Sequence, residues 1–145
     1  MENTIALSPE FAIAGQITPD QVETAKQEGY QAILNLRVPG EQSFMDNQEA
    51  AQNAGLQYAN IPVSPSQMSQ VADQVLKQLE DLPKPVLVHC GSALRAGVMV
   101  LAYRGVKEGK SAEEVLTEAR EAGFTLLDSK PPMKQFVADY IANRG

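Results

Sequence analysis

Short apolar runs alternate along this chain with fully specified helix starts, and that alternation limits the fold more than any other feature. Phe11 to Ala14, Ala32 to Leu36, Leu56 to Val63 and Val86 to His89 are brief and apolar, bounded by Gly, Pro or Asn as strands are. Thr18-Pro19-Asp20-Gln21 sets a capping hydroxyl, a first-turn proline and a reciprocal glutamine in order, which predicts a helix ending at Gly29. Ser64-Pro65-Ser66-Gln67 repeats the device, and Val71, Val75, Leu76, Leu79 and Leu82 then form the apolar face of a helix running to Pro83. Ser111-Ala112-Glu113-Glu114 opens another, with Val115, Leu116 and Ala119 on one face. Val98 to Val106 is apolar nearly all round, so its helix belongs inside the molecule. Strand and helix alternate to a fourth strand, and three helices follow. This order predicts an α/β fold with a mainly parallel central sheet of four to five strands flanked by helices. Ligands of such sheets lie beyond the carboxyl ends of the strands. His89 and Cys90 stand at that end of what should be a central strand.

With 145 residues, 43% of them hydrophobic, the chain can bury one substantial core, and residues 1–145 are expected to form one domain. A formal charge of -6 repels phosphate backbones and anionic lipid, so neither nucleic acid nor a membrane surface is an expected partner. A small anion can bind only at a local positive spot. The one cysteine cannot form an internal disulfide and no basic, apolar leader opens the sequence, which points to the cytoplasm. No apolar run approaches the ~20 residues of a membrane span.

The segment "HCGSALRAG", residues 89–97, holds the only histidine and the only cysteine. A strand turning sharply into a helix directs several backbone N–H groups into one concavity, and the helix N-terminus adds partial positive charge. Such a cradle, formed by Gly91, Ser92, Ala93, Leu94 and Arg95, suits an oxyanion, and its field favours a sulfur in the ionised form. Arg95 can clamp two oxygens of the bound group. Together these parts describe attack of Cys90 on phosphorus. Each residue also has a plainer reading: a lone cysteine in an apolar strand is commonly a small buried hydrophobe, and an arginine at a helix start is commonly solvated.

The stretch "GQITPDQVETAKQEGYQAILNLR", followed by Glu41, then "IPV", then "PVLVHCGSALRAG", resembles the small bacterial phosphatase-like domains of the dual-specificity and tyrosine phosphatase superfamily, a group often fused to beta-lactamase-like hydrolases. The resemblance covers roughly residues 5 to 125. It implies the cysteine phosphatase fold, a cysteinyl-phosphate intermediate, no metal and no cofactor. It implies phosphotyrosine or a small aryl phosphate ester as substrate, with a phosphorylated protein as one possible source, and leaves the oligomeric state open. Residue by residue, Cys90 matches the nucleophile, Arg95 the phosphate-binding arginine, and His89 the residue that steadies the thiolate by local hydrogen bonding. Ser92 matches a serine that hydrogen-bonds the sulfur as it leaves. For His89 a backbone-satisfied strand end, and for Ser92 a simple turn residue, are the alternatives.

The departures from that family pattern bear on chemistry. Four residues rather than five separate cysteine and arginine, Ala93 stands where glycine is common, and Ala96 where a hydroxyl residue is common. A positive φ at Ala93 would be strained. The loop Ser64 to Gln67 carries no carboxylate where a general acid is expected, and such a loss can cost about 10²–10⁴ in rate. Glu41 could replace it, or could be a solvated loop charge. Arg37 could add positive potential or pair with Glu41. Val38-Pro39 and Ser64 to Met68 are candidate walls of the site, and Phe44, Tyr58 and Phe124 candidate rings against a substrate. Two other functions compete. One is a phosphate-binding scaffold without turnover. The other is a rhodanese-like sulfurtransferase, whose loop can also have this spacing but whose Asp-x-Arg strand end and Gly-Gly segment are absent from "ILNLR" and "EAGFTLLDSKPP".

Overall fold

The computed structural model describes residues 3–41 and 46–144. Strands β1 (Thr4–Ala6), β2 (Phe11–Ala14), β3 (Ala32–Asn35), β4 (Gln57–Asn60) and β5 (Val86–His89) form one sheet in the order β1-β2-β5-β3-β4. Only β1 runs antiparallel, to β2; β2, β5, β3 and β4 are mutually parallel. Helices α1 (Pro19–Gln27), α2 (Gln48–Ala54), α3 (Met68–Asp81), α4 (Leu94–Glu108), α5 (Ala112–Glu121) and α6 (Pro131–Arg144) make the crossovers and the C-terminal layer.

The strands alternate their side chains between two faces, and each face has its own apolar layer. Ala12, Ala14, Ile33 and Leu87 pack with Val22 and Ala25 of α1 and Ala51 of α2. Phe11, Ile13, Leu34, Val86 and Val88 pack with residues of α3, α4, α5 and α6 on the opposite face. Burial on both sides is why β2, β3 and β5 read as continuous apolar runs. The register places Ala14, His89, Asn35 and Asn60 level with one another, so four parallel strands end together along one edge of the sheet.

Two of the three expected capping boxes form as written, at Thr18 with Gln21 and at Ser111 with Glu114. The Ser64 box does not. Pro65–Gln67 winds into a short 3-10 turn, the Ser64 hydroxyl lies 3.2 Å from that of Ser66, and α3 starts only at Met68. The buried face of α3 accordingly begins with Met68 and Ala72, and Val71 is half-buried beside it. The three-residue β1 was not anticipated. The all-apolar helix is α4, buried from Ala96 to Ala102. Its Gly97 makes room for a neighbour: a Cβ there would lie 2.3 Å from the Phe124 ring. That ring, buried against α4, is core as well as a candidate wall.

Candidate functional site

Cys90 follows β5 directly, and residues 91–93 turn the chain into α4. The turn is pinned to the end of β2: the Cys90 amide donates to the Ala14 carbonyl (3.1 Å), the Gln16 amide donates to the Gly91 carbonyl (3.4 Å), and Gly15 bridges to Ser92. A side chain at Gly15 would put its Cβ 2.8 Å from the Gly91 oxygen, so glycine is required for this approach. Ala93 completes the turn at φ 74°, ψ -8°, in the left-handed region, and gives α4 no side-chain cap. In place of a cap, the Ala96 amide donates to Cys90 Sγ (3.4 Å). Cys90 is fully buried and packs with Val88 and Ala96, yet its sulfur accepts from a first-turn helix amide. The two readings of this residue are therefore combined in one position.

Arg95 reaches back across the loop with its side chain only 12% exposed. Its Nη1 donates to Glu41 Oε2 (2.7 Å) and to the Val63 carbonyl (2.7 Å), and its Nη2 donates to Glu41 Oε1 (2.8 Å). Glu41 also accepts from Arg37 Nε (3.1 Å) and from the Val38 amide (2.7 Å). The Arg95 hydrogen bonds foremost, helped by the Val38 amide and Arg37, lower the Glu41 pKa to about 2 against the opposing effect of burial. The same Glu41 contact, with a contribution from Cys90, raises the Arg95 pKa. Glu41 is thus ionised at neutral pH and holds no proton to give, which corrects its expected use as an acid. It is not a solvated loop charge either. Arg37, buried at the end of β3, pairs with Glu41 and donates through Nη1 to Gln16 Oε1 (2.7 Å). Asn35 Oδ1 accepts from the Arg37 amide, and Asn60 Nδ2 donates to the Arg37 carbonyl, which fixes the backbone under that guanidinium.

His89 is fully buried, and among the described residues neither ring nitrogen has a hydrogen-bond partner. Burial lowers its pKa to about 4, the Arg37 charge acts in the same direction, and the Cys90 backbone opposes. The imidazole makes no hydrogen bond to the sulfur, and the Cys90 backbone acts on the ring without a well-formed hydrogen bond. Strand alternation is the reason, since Cys90 shares a face with Val88 while His89 follows Leu87 to the other face. Ser92 is exposed on the loop, and among the described residues no hydrogen bond joins its hydroxyl to the sulfur.

Two clefts flank the loop. One, of about 590 Å³, is lined by Val38, Pro39, Gly40, Glu41, Ser64, Pro65 and Arg95; of the expected walls, Val38, Pro39, Ser64 and Pro65 line it, Ser66 and Gln67 do not, and Met68 is buried in the core. The other, of about 610 Å³, lies between Gly91–Ala93 and Gly123–Leu126. Phe124 lines this second cleft; Tyr58 is half-buried with its hydroxyl accepting from Asn35 Nδ2, and Phe44 lies outside the described residues. Sequence reasoning missed Gln16 as the partner of Arg37, although "GQ" was visible as a motif. It could not have found the Val63 carbonyl, a backbone contact with no side-chain signature. No helix of the described residues is long and apolar enough to cross a membrane, and no three His, Cys, Asp or Glu side chains among them gather as a metal site.

Comparison with known proteins bears on the fold and the family. TpbA of P. aeruginosa, solved in complex with pTyr, superposes with a TM-score of 0.76 at 21% identity over 98% of this chain and 88% of its own. The core catalytic domain of the PP-IP phosphatase SIW14 from S. cerevisiae gives 0.71 at 18% identity over 94% and 83%. These likenesses establish the fold, that of the tyrosine-phosphatase-like cysteine phosphatases. A Beta-lactamase hydrolase-like protein of Xylella fastidiosa is 31% identical over 128 residues, which cover 84% of this chain and 30% of that protein, so the chain spans less than a third of its relative. The family profile described as "Beta-lactamase hydrolase-like protein, phosphatase-like domain" matches residues 4–104, and it is to this phosphatase-like family that the chain belongs.

Proposed function

We propose that residues 1–145 act as one domain, a cysteine-dependent phosphatase for phosphotyrosine or small aryl phosphate esters. The observation that carries this reading is the Ala96 amide donating to Cys90 Sγ at the start of α4, with the Arg95 guanidinium locked beside it. Cys90 as thiolate attacks phosphorus; the phosphorus–oxygen bond breaks and its electron pair leaves with the phenolate. Water then attacks the cysteinyl-phosphate, the sulfur–phosphorus bond breaks, inorganic phosphate departs and the thiolate is restored. The amides of residues 91–95 and the N-terminal charge of α4 stabilise the transferring oxygens. Three of the five N–H groups of Arg95 are committed to Glu41 and Val63, which leaves two for the substrate. Glu41 is a positioning residue for Arg95, and Arg37 for Glu41. His89 is a neutral buried support behind the loop.

A phenolate suits this site because it departs without a proton, and Glu41 has none to offer. A lone cysteine with a thiolate function also suits a reducing cytoplasm. Turnover of p-nitrophenyl phosphate is the direct test. Cys90→Ser is expected to abolish it, by about 10³-fold or more as for loss of a nucleophile elsewhere. Turnover that survives this substitution overturns the covalent mechanism. Phosphate binding by the unmodified protein with no turnover at all would instead favour the scaffold reading.

A further inference from the structure

The charges around the loop limit how much anion the site can hold. Arg37 and Arg95 both pair with the carboxylate of Glu41, and in the proposed reaction the Cys90 thiolate offsets the positive charge that remains, so the cradle holds little cationic excess. Beyond it the chain as a whole is at -6. None of the residues lining the cleft between Gly91–Ala93 and Gly123–Leu126 is charged. Half-buried Ile5 and Leu126 supply apolar surface there, over buried Ile17 and Phe124, and Gln16, Gln21, Ser92 and Thr125 supply amide and hydroxyl edges. Residues 42–45, outside the described set, carry no formal charge in the sequence. The cleft's volume of about 610 Å³ is that of a pocket for a small organic group, and it shares Gly91, Ser92 and Ala93 with the cradle.

We infer that this cleft seats the body of a singly phosphorylated substrate, an uncharged group with one apolar face and hydroxyl or amide edges, and that the site rejects compounds bearing a second phosphoryl group. The inference rests on reading Cys90 to Arg95 as a phosphate cradle. A second phosphoryl group entering the cleft would lose hydration and meet no cation among the residues that line it. An uncharged aryl amide loses little and gains contact with Ile5 and Leu126.

Calorimetric titration of the Cys90→Ser protein tests this with three probes: inorganic phosphate, N-acetyl-phosphotyrosine amide, and the same amide extended by a neighbouring phosphoserine. The amide is expected to bind about tenfold more tightly than inorganic phosphate, and the phosphoserine to weaken it by about tenfold. Thr125→Trp, which fills the cleft from an exposed position, should lower the ratio of amide to phosphate affinity by about tenfold. Thr125→Lys should reverse the preference between the singly and doubly phosphorylated probes. Equal or tighter binding of the doubly phosphorylated probe to the unmodified cleft overturns the inference, as does an affinity ratio that neither Thr125 substitution moves. No detectable binding of inorganic phosphate would overturn the cradle itself and, with it, this assignment.

Discussion

Ala93 holds φ 74°, a conformation that costs an L-residue roughly 1–2 kcal/mol. The turn from β5 into α4 imposes it, because Cys90 and Gly91 are already tied to the end of β2. Ala93→Gly should therefore raise the unfolding free energy by about 1 kcal/mol, less the greater chain entropy of glycine when unfolded, in urea titration. A loss of stability would show that the methyl group's packing outweighs the strain. His89 gives a second prediction of this size. Its pKa falls from the ordinary 6.5 to about 4 on folding, so the unfolded chain takes up the proton first. Its contribution is then present in full above pH ~6.5 and is lost as pH falls towards 4, amounting to roughly 3 kcal/mol. Urea midpoints measured between pH 7 and 4 should decline in the unmodified protein and decline less in His89→Leu. Equal declines would assign the effect to other groups.

At the scale of elements, the site is a junction of three loops brought level by the sheet register. The segment after β3 brings Arg37 and Glu41, the segment after β4 brings the Val63 carbonyl, and the loop after β5 brings Cys90 and Arg95. Glu41→Gln removes the carboxylate that fixes the Arg95 fork. It should lower kcat/KM for p-nitrophenyl phosphate by about 10²-fold, the scale of a misplaced catalytic group. Because Glu41 is ionised far below neutrality, at a pKa of about 2, the shape of the pH profile from 5 to 8 should stay the same in the variant. Disappearance of a limb of that profile would return Glu41 to the role of acid. Much of this junction could be read along the chain: β2, β3 and β5 from their apolar runs, α1 and α5 from their boxes, and the loop from its order of Cys90, Gly91 and Arg95. What could not be read is pairing across distance. Arg95 and Glu41 are far apart in sequence, and nothing local to either names the other. The Ser64 box misled because its pattern also fits a 3-10 turn, and β1 is too short to show a period.

The chain as a whole is acidic, and the proposed phosphatase reaction has to work against that charge. Repulsion from a chain at -6 weakens long-range attraction of phosphate esters, so affinity must arise at short range, from Arg95 and the loop amides. Among the residues lining the two clefts, Glu41 is the sole carboxylate, and it is held ionised. In the proposed reaction the leaving oxygen then carries its own negative charge away, and the barrier to the first step rises with the basicity of that oxygen. A series of substituted phenyl phosphates, from nitrophenol to unsubstituted phenol with its pKa of about 10, reads this directly. The logarithm of kcat/KM should fall steeply with the pKa of the leaving phenol, and alkyl phosphates should react below detection. The ratio kcat/KM is the correct quantity because it reports phosphorus–oxygen cleavage even where hydrolysis of the cysteinyl-phosphate limits kcat. A flat dependence would mean that a proton reaches the leaving group in the transition state, and would require an acid other than Glu41.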